Sequence, residues 1–160
     1  GPILQKRLEK VVNIMENVEF SGLKNHIIFC GYNPIINLLV EELRNRGIPL
    51  VLIVRDTEMA TYLKNDGYIV LHERADNTHV LELAGIKRAR QVILSSADDN
   101  YNLMVALIVS KLKRELNLKF KISLIVTSSK NIEIINDFID ETINLSSIVK
   151  DYLIKNFENF

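Results

Sequence analysis

The chain alternates short apolar runs with stretches of helical periodicity. His26–Cys30, Leu50–Val54, Tyr68–Leu71, Gln91–Leu94 and Ile122–Val126 are five such runs, and Thr142–Leu145 is a shorter sixth. Between them, apolar residues recur at three- and four-residue spacing, the mark of an amphipathic helix. Ile36, Leu39, Val40 and Leu43 share one face, with Glu41, Glu42, Arg44 and Arg46 outside. Met59, Ala60 and Leu63 follow a cap predicted at Thr57, and Leu81 and Ala84 follow Asn77 or Thr78. A long helix is predicted from Asp98–Asp99 to about Leu116, carrying Leu103, Met104, Leu107, Ile108 and Leu112. Its first half is apolar nearly all round, so heavy burial is expected. Ile132, Ile135, Phe138 and Ile139 predict a further helix, and Ile148, Tyr152, Leu153 and Phe157 a last one.

Strands that lack polar alternation are buried on both faces, which a parallel sheet with helices on each side provides. Right-handed crossovers then give a Rossmann-like, doubly wound parallel α/β sheet of about six strands. A helical stretch precedes it. Leu4, Leu8, Val11, Met15 and Val18 form an a/d seam. Two heptads do not hold a coiled coil alone, so this helix either docks on its own domain or links it to another chain or segment. Ser21-Gly22 ends it.

Composition narrows the function. Lys plus Arg and Asp plus Glu both number 20, so the net charge is zero and the basic excess of a general nucleic-acid binder is missing. The single cysteine, Cys30, permits no internal disulfide, which fits a reducing compartment. No apolar run approaches the roughly 20 residues of a membrane span. Gly1-Pro2 reads as a protease scar, which leaves the natural ends of the chain, and any membrane segment beyond them, open.

In doubly wound sheets ligands bind beyond the carboxyl ends of the strands. After the first strand stands Gly31-Tyr32-Asn33-Pro34-Ile35-Ile36. A dinucleotide fingerprint needs glycine at its first, third and sixth positions, and only Gly31 fits. Pro34 suits the start of a helix, so a plain strand-to-helix turn is the simpler reading. After the second strand, Arg55 stands where an NAD-binding protein keeps a carboxylate, and Asp56 follows; Arg55 either meets a phosphate or pairs with Asp56 or Glu58. Arg74 lies on the next loop, where it and Arg55 either form a small anion site or a solvated rim. His26, His72 and His79 have no metal-ligand spacing, and Ser95 and Ser96 have no neighbouring base. Nothing assembles a nucleophile, an acid and a base, so no catalytic residue and no metal ligand is assigned.

Four segments carry a resemblance: His26–Gly31, Val51–Asp56, Val80–Ile86 and Ala89–Leu94, of which Val80–Ile86 is the most specific. Together they resemble the RCK (regulator of potassium conductance) or KTN domain, over about Lys24 to Lys155. The resemblance implies three parts: residues 1–22 as scar and linker helix, 23–145 as the Rossmann-like N-terminal lobe, and 146–160 as a crossover and dimerisation helix. It implies a cytoplasmic regulatory domain of a potassium channel, placed at the inner side of the cell membrane. Ligand binding and ring assembly would be coupled there to the pore domain. Its partners would be a second copy, through Ile148, Val149, Tyr152, Leu153 and Phe157, and an octameric gating ring in the full channel. The cleft would be lined by Gly31, Tyr32, Asn33, Arg55, Asp56, Arg74 and Ser95. The alternatives are a nucleotide-binding subunit of a potassium transporter and a degenerate NAD-dependent oxidoreductase.

The chain departs from the family at informative places. Asn33, Ile36 and Arg55 replace the features of NAD- and ATP-binding members, and Glu73-Arg74 stands where Gly-Asp is common. Calcium-gated relatives carry carboxylates where this chain has Ser95, Ile125 and Thr127. NAD and calcium are both disfavoured, and the ligand is left open.

Overall fold

Successive side chains of a strand point to opposite faces, and in this sheet both faces are covered. The computed structural model describes residues 2–7, 20, 22–127 and 133–157. Six strands form one parallel sheet: β1 (Ile27–Cys30), β2 (Leu50–Ile53), β3 (Val70–Leu71), β4 (Gln91–Leu94), β5 (Lys121–Val126) and β6 (Glu141–Asn144). Their order is β3-β2-β1-β4-β5-β6. The chain therefore builds outward from β1 in one direction, then returns to pair β4 on its other side. That reversal leaves a crevice at the carboxyl ends of β1 and β4.

The helices are α1 (Asn37–Asn45), α2 (Thr57–Asn65), α3 (Thr78–Leu83), α4 (Asp99–Glu115) and α5 (Leu145–Phe157). Ile28, Cys30, Val51, Ile53, Val92 and Leu94 pack on one face against α3 and α4 residues such as Leu81, Val105 and Val109. The alternate positions Ile27, Phe29, Leu50, Leu52 and Ile93 pack on the other against Ile36, Val40, Ala60 and Leu63. Each large side chain removed from water in this way contributes about 1.5–3 kcal/mol.

Several sequence expectations need correction. Asp56, not Thr57, caps α2: its backbone is extended and its carboxylate accepts the Met59 amide at 2.8 Å. β3 is shorter than its apolar run because Tyr68 leaves the ladder and packs beneath the Arg44 guanidinium, 4.0 Å from its ring centre. The helix expected around Ile135 is a 3₁₀ segment, Glu133–Phe138. In α4, Tyr101, Val105, Ala106 and Val109 are buried, but Met104 and Leu107 are exposed by 49% and 37%. One side of that helix meets no part of the described chain, so apolarity all round does not mean burial all round. On α1, Leu39 is exposed for the same reason. The predicted N-terminal seam lies mostly outside the described residues.

The opposite end of the sheet holds a buried histidine. His26 precedes β1, is fully buried, and its Nε2 donates to the Ala84 carbonyl at 2.7 Å. Nδ1 has no partner. Protonation would place an N–H there with nothing to receive it. Burial, with a smaller push from the Arg88 cation, holds His26 below the usual histidine value of 6.5 despite the Ala84 carbonyl. Gly85, at φ +77°, makes room for the ring: a Cβ there would lie 3.0 Å from His26 Cε1.

The sign follows from linkage. The unfolded chain takes up a proton at His26 as pH falls through 6.5, while the folded chain resists it, so stability declines as pH falls below that value. Thermal denaturation is expected to show a falling midpoint between about pH 7 and pH 5, the span around a free histidine's value. His26→Gln keeps a donor for Ala84 and should flatten that decline. Parallel profiles for the two proteins would assign the effect elsewhere.

Candidate functional site

Three strand ends converge on the crevice. β1 runs into Gly31, β2 into Val54-Arg55-Asp56, and β4 into Ser95-Ser96. Gly31 has φ +93°, and a Cβ on it would lie 2.7–2.9 Å from the backbone and Cβ of Ser96. No side chain fits that contact, which is why this position is glycine. The Ser95 amide donates to the Cys30 carbonyl at 3.0 Å, and its hydroxyl donates to the Gly31 carbonyl at 2.7 Å. Asn102 then clamps Ser96: it accepts the Ser96 amide at 3.1 Å and donates to the Ser96 carbonyl at 2.8 Å.

The result is an open cavity of about 480 Å³. Gly31, Tyr32 and Pro34 form one wall, and Val54, Arg55, Asp56 and Met59 form another, with Ser96 at the base. Of the residues expected from sequence, Gly31, Tyr32, Arg55 and Asp56 line it. Ser95 does not: it is fully buried and its hydroxyl is spent on Gly31, so the serine that faces the cavity is Ser96. Arg74 does not line it either, being held in a bidentate pair with Asp76 at 2.9 and 2.8 Å. That pair holds Asp76 below the ordinary aspartate range.

Asn33 turns away from the cavity and closes the adjoining loop. Its Oδ1 accepts the amides of Ile35 and Ile36 at 2.8 and 3.3 Å, and its Nδ2 donates to the Ser95 carbonyl at 2.9 Å. Pro34 has no amide hydrogen, and the Asn37 amide returns to the Pro34 carbonyl. Every backbone donor from 34 to 37 is thus absent or occupied.

Arg55 does not pair with Asp56 or Glu58. Its guanidinium lies over the Tyr101 ring, with Cζ 3.7 Å from the ring centre, and Nη2 donates to Ser96 Oγ at 3.3 Å. Arg74 approaches the same ring at 5.3 Å. The Tyr101 hydroxyl accepts the Ala75 amide at 2.7 Å, fixing the ring, and burial raises its pKa. Among the described residues Arg55 has no carboxylate within ion-pair distance, whereas Arg74 does. Tyr101, Ser96 and Asn102 were missed by sequence reasoning. The available signal was an aromatic and an amide in the first turn of the helix after β4, a position that faces β1 and β2.

Among the described residues no three metal-binding side chains cluster. At the ends of β4 and β5, Asn33, Ser96, Asp99 and Thr127 border a recess of about 60 Å³ with a single carboxylate. Asp98 caps α4 by accepting the Tyr101 amide at 3.1 Å. Cys30 is buried, and burial pushes its thiol up to about 12.

Residues 27–145 match the TrkA-N domain family. The chain belongs to that family. Over 92 residues it is 29% identical to potassium channel protein 1 of Methanocaldococcus jannaschii, covering 56% of this chain and 28% of that protein. The TrkA-N domain of the inner membrane protein YbaL from Escherichia coli has the same fold, with TM-score 0.72, 18% identity, and coverage of 84% of this chain and 97% of that one. The GsuK channel bound to NAD gives TM-score 0.71 at 23% identity, over 82% of this chain and 23% of GsuK. The aligned stretch spans 18% and 28% of two curated relatives. Among its described residues this TrkA-N domain has no helix long and apolar enough to cross a membrane.

The Gly31–Ser96 contact gives a direct test. Gly31→Ala should destabilise the TrkA-N domain by about 2–4 kcal/mol, from the positive φ and the displaced Ser96 backbone together. For a chain of this size that lowers the denaturation midpoint by roughly 5–15 °C. An unchanged midpoint would mean that the strand ends do not approach so closely.

Proposed function

We propose that this TrkA-N domain is the cytoplasmic regulatory domain of a potassium channel, in which occupation of the β1–β2–β4 cleft and association of copies set the state of the pore. The observation that carries the reading is a cleft equipped to hold a ligand and not to transform one. Arg55 stands ready on its tyrosine, while the serine hydroxyls are bonded to Gly31, Asp98 and Arg55, and among the described residues no histidine or carboxylate is hydrogen-bonded to either serine hydroxyl. The only thiol is buried and protonated. The GsuK channel is known bound to NAD and to ADP, so a nucleotide is the ligand class to test first.

Assembly rests on α5. None of its residues is buried, and Ile148, Val149, Tyr152 and Leu153 are exposed by 55, 55, 67 and 45%. With Phe157 they are the residues assigned to the dimer contact. Val149 and Leu153 also border an apolar groove of about 640 Å³ that reaches Ile35 and Leu145. Thirteen residues of helix with such a face are costly to leave in water, and a second copy of the same helix is the occupant proposed. In the full protein such dimers would build the ring below the pore.

Sedimentation of the wild-type chain at micromolar concentration should show a dimer, and Leu153→Glu should shift it to monomer. Burial of Leu153 is worth about 1.5–3 kcal/mol in each copy, before the added charge is counted. A wild-type monomer would overturn the assembly. For gating, the full-length protein reconstituted in potassium-loaded vesicles should change its flux when AMP, ADP or NADH is added. Flux indifferent to all three would overturn the ligand-gated reading.

A further inference from the structure

The amino end of the sheet carries a second polar construction, away from the cleft. The chain leads into β1 through Phe20 and Leu23, whose side chains are buried in the core beside α3 and α4. The Leu23 amide closes a turn by donating to the Phe20 carbonyl at 3.1 Å. Arg88, in the 3₁₀ turn between α3 and β4, reaches across to that turn. Its Nε donates to the Leu23 carbonyl at 2.8 Å and its Nη2 to the Phe20 carbonyl at 3.4 Å. Two backbone bonds continue the tie. The Asn25 amide donates to the Arg88 carbonyl at 2.8 Å, and the Arg90 amide to the His26 carbonyl at 2.9 Å. One cation thus fastens Phe20 and Leu23 to the turn that precedes β4.

That cation shares its space with the buried imidazole. A Cβ on Gly85 would lie 3.0 Å from Arg88 Nη2 and 3.0 Å from His26 Cε1, so guanidinium and ring flank the same gap. Among the described residues no carboxylate lies within ion-pair distance of either group. The other ionisable side chains on the surrounding elements are Lys24 before β1, His79 and Glu82 on α3, Lys87 beside Arg88, and Arg90 before β4. All five are exposed, and the hydrogen bond of the ring goes to Ala84 instead. Burial is the larger reason that His26 resists a proton, and the Arg88 charge adds to it. A proton on His26 would set a second full charge beside Arg88 where no counter-ion stands, and the new Nδ1–H would have no acceptor. Of the two groups, Arg88 is the one that can leave: it is an exposed residue, whereas His26 is fully enclosed.

We propose that Arg88 is a latch on the Phe20–Leu23 turn and that a proton taken up by His26 opens it, so that acid frees this turn while the sheet stays folded. The latch stands apart from the cleft and from the gating reading, and it is tested in this chain without a pore.

Hydrogen exchange read by NMR, with rates corrected for the intrinsic effect of pH, follows the Leu23 and Asn25 amides at about pH 7.5 and about pH 5, on either side of a free histidine's value. Their protection is expected to fall by about tenfold or more at the lower pH, which corresponds to roughly one pKa unit of coupling between proton and latch. Phe29 in β1 and Ile93 in β4 should keep theirs. Arg88→Met, which keeps the apolar stem and removes the donors, should lower the protection of Leu23 and Asn25 at both pH values. His26→Gln keeps a donor for Ala84 and takes up no proton, so it should make that protection independent of pH. Should His26→Gln fail to fold, the reciprocal effect decides: in Arg88→Met the His26 ring should titrate at a higher pH than in the wild type, because the like charge is gone. Protection of Leu23 and Asn25 unaltered between the two pH values, lost equally in His26→Gln, or lost together with that of Phe29 and Ile93 would overturn the proposal. A His26 titration that Arg88→Met leaves unmoved would overturn it as well.

Discussion

The contact between Gly31 and Ser96 governs the carboxyl end of this sheet. Where β1 and β4 finish, the two backbones come too close for any side chain on Gly31. Hydrogen bonds from Ser95 to Cys30 and Gly31, and from Asn102 to both sides of Ser96, hold them there. Because the sheet reverses its direction of growth at this pair of strands, their separation sets the width of the crevice. It also sets the first turn of α4, and through it Tyr101, on which Arg55 rests. One backbone approach thus fixes the position of a cation contributed by a different strand.

Such a cleft has an electrostatic character unlike that of a glycine-rich one. Loop amides present a diffuse positive field fixed by the backbone. A stacked guanidinium presents a full charge whose direction is set by an aromatic face, an arrangement worth about 0.5–2 kcal/mol in itself. Arg74, which borders the same ring, is neutralised by Asp76. The two arginines that sequence placed side by side are therefore not equivalent. One is a spent charge that ties down its own loop, and the other is open toward the cavity.

The fold was legible because hydrophobic burial wrote it into contiguous runs. Ile27–Cys30, Leu50–Ile53 and Gln91–Leu94 lie within or coincide with the predicted strands, and the glycines after α1 and α2 stand where the chain turns. The site was legible only in part. Residues directly after a strand, such as Gly31, Arg55 and Asp56, are placed by topology alone. Tyr101 and Asn102 lie on a helix, and their roles depend on rotation about its axis and on what the neighbouring loops bring. The exchange of Ser95 for Ser96 has the same origin. Where a strand gives way to a loop, alternation ends and adjacent residues no longer divide cleanly between core and cleft. Leu39, Met104 and Leu107 mark a different limit, since apolar periodicity identifies a face that wants burial but not the chain that buries it.

That limit bears most on α5. Its charged residues, Lys150, Asp151 and Lys155, are interspersed with Val149, Tyr152, Leu153 and Ile154, and these four apolar side chains are all exposed. β6 and the start of the helix are anchored: Ile143 and Leu145 pack against the core, and the Asn144 side chain accepts the Ser147 amide at 3.0 Å. Beyond that point the helix has little of its own domain to rest on. A helix of thirteen residues is near the length at which isolated helices are marginal in water, about 12–15 residues. Such a helix gains from tertiary support, which the dimer proposed above would give. A self-complementary partner supplies that support at no cost in new sequence, because whatever face one copy exposes the other exposes too. The groove beside it opens next to Ile35, which directly precedes the Ile36 amide held by Asn33. The dimer contact proposed on α5 thus adjoins Pro34–Ile36, the same short turn whose amides Asn33 holds.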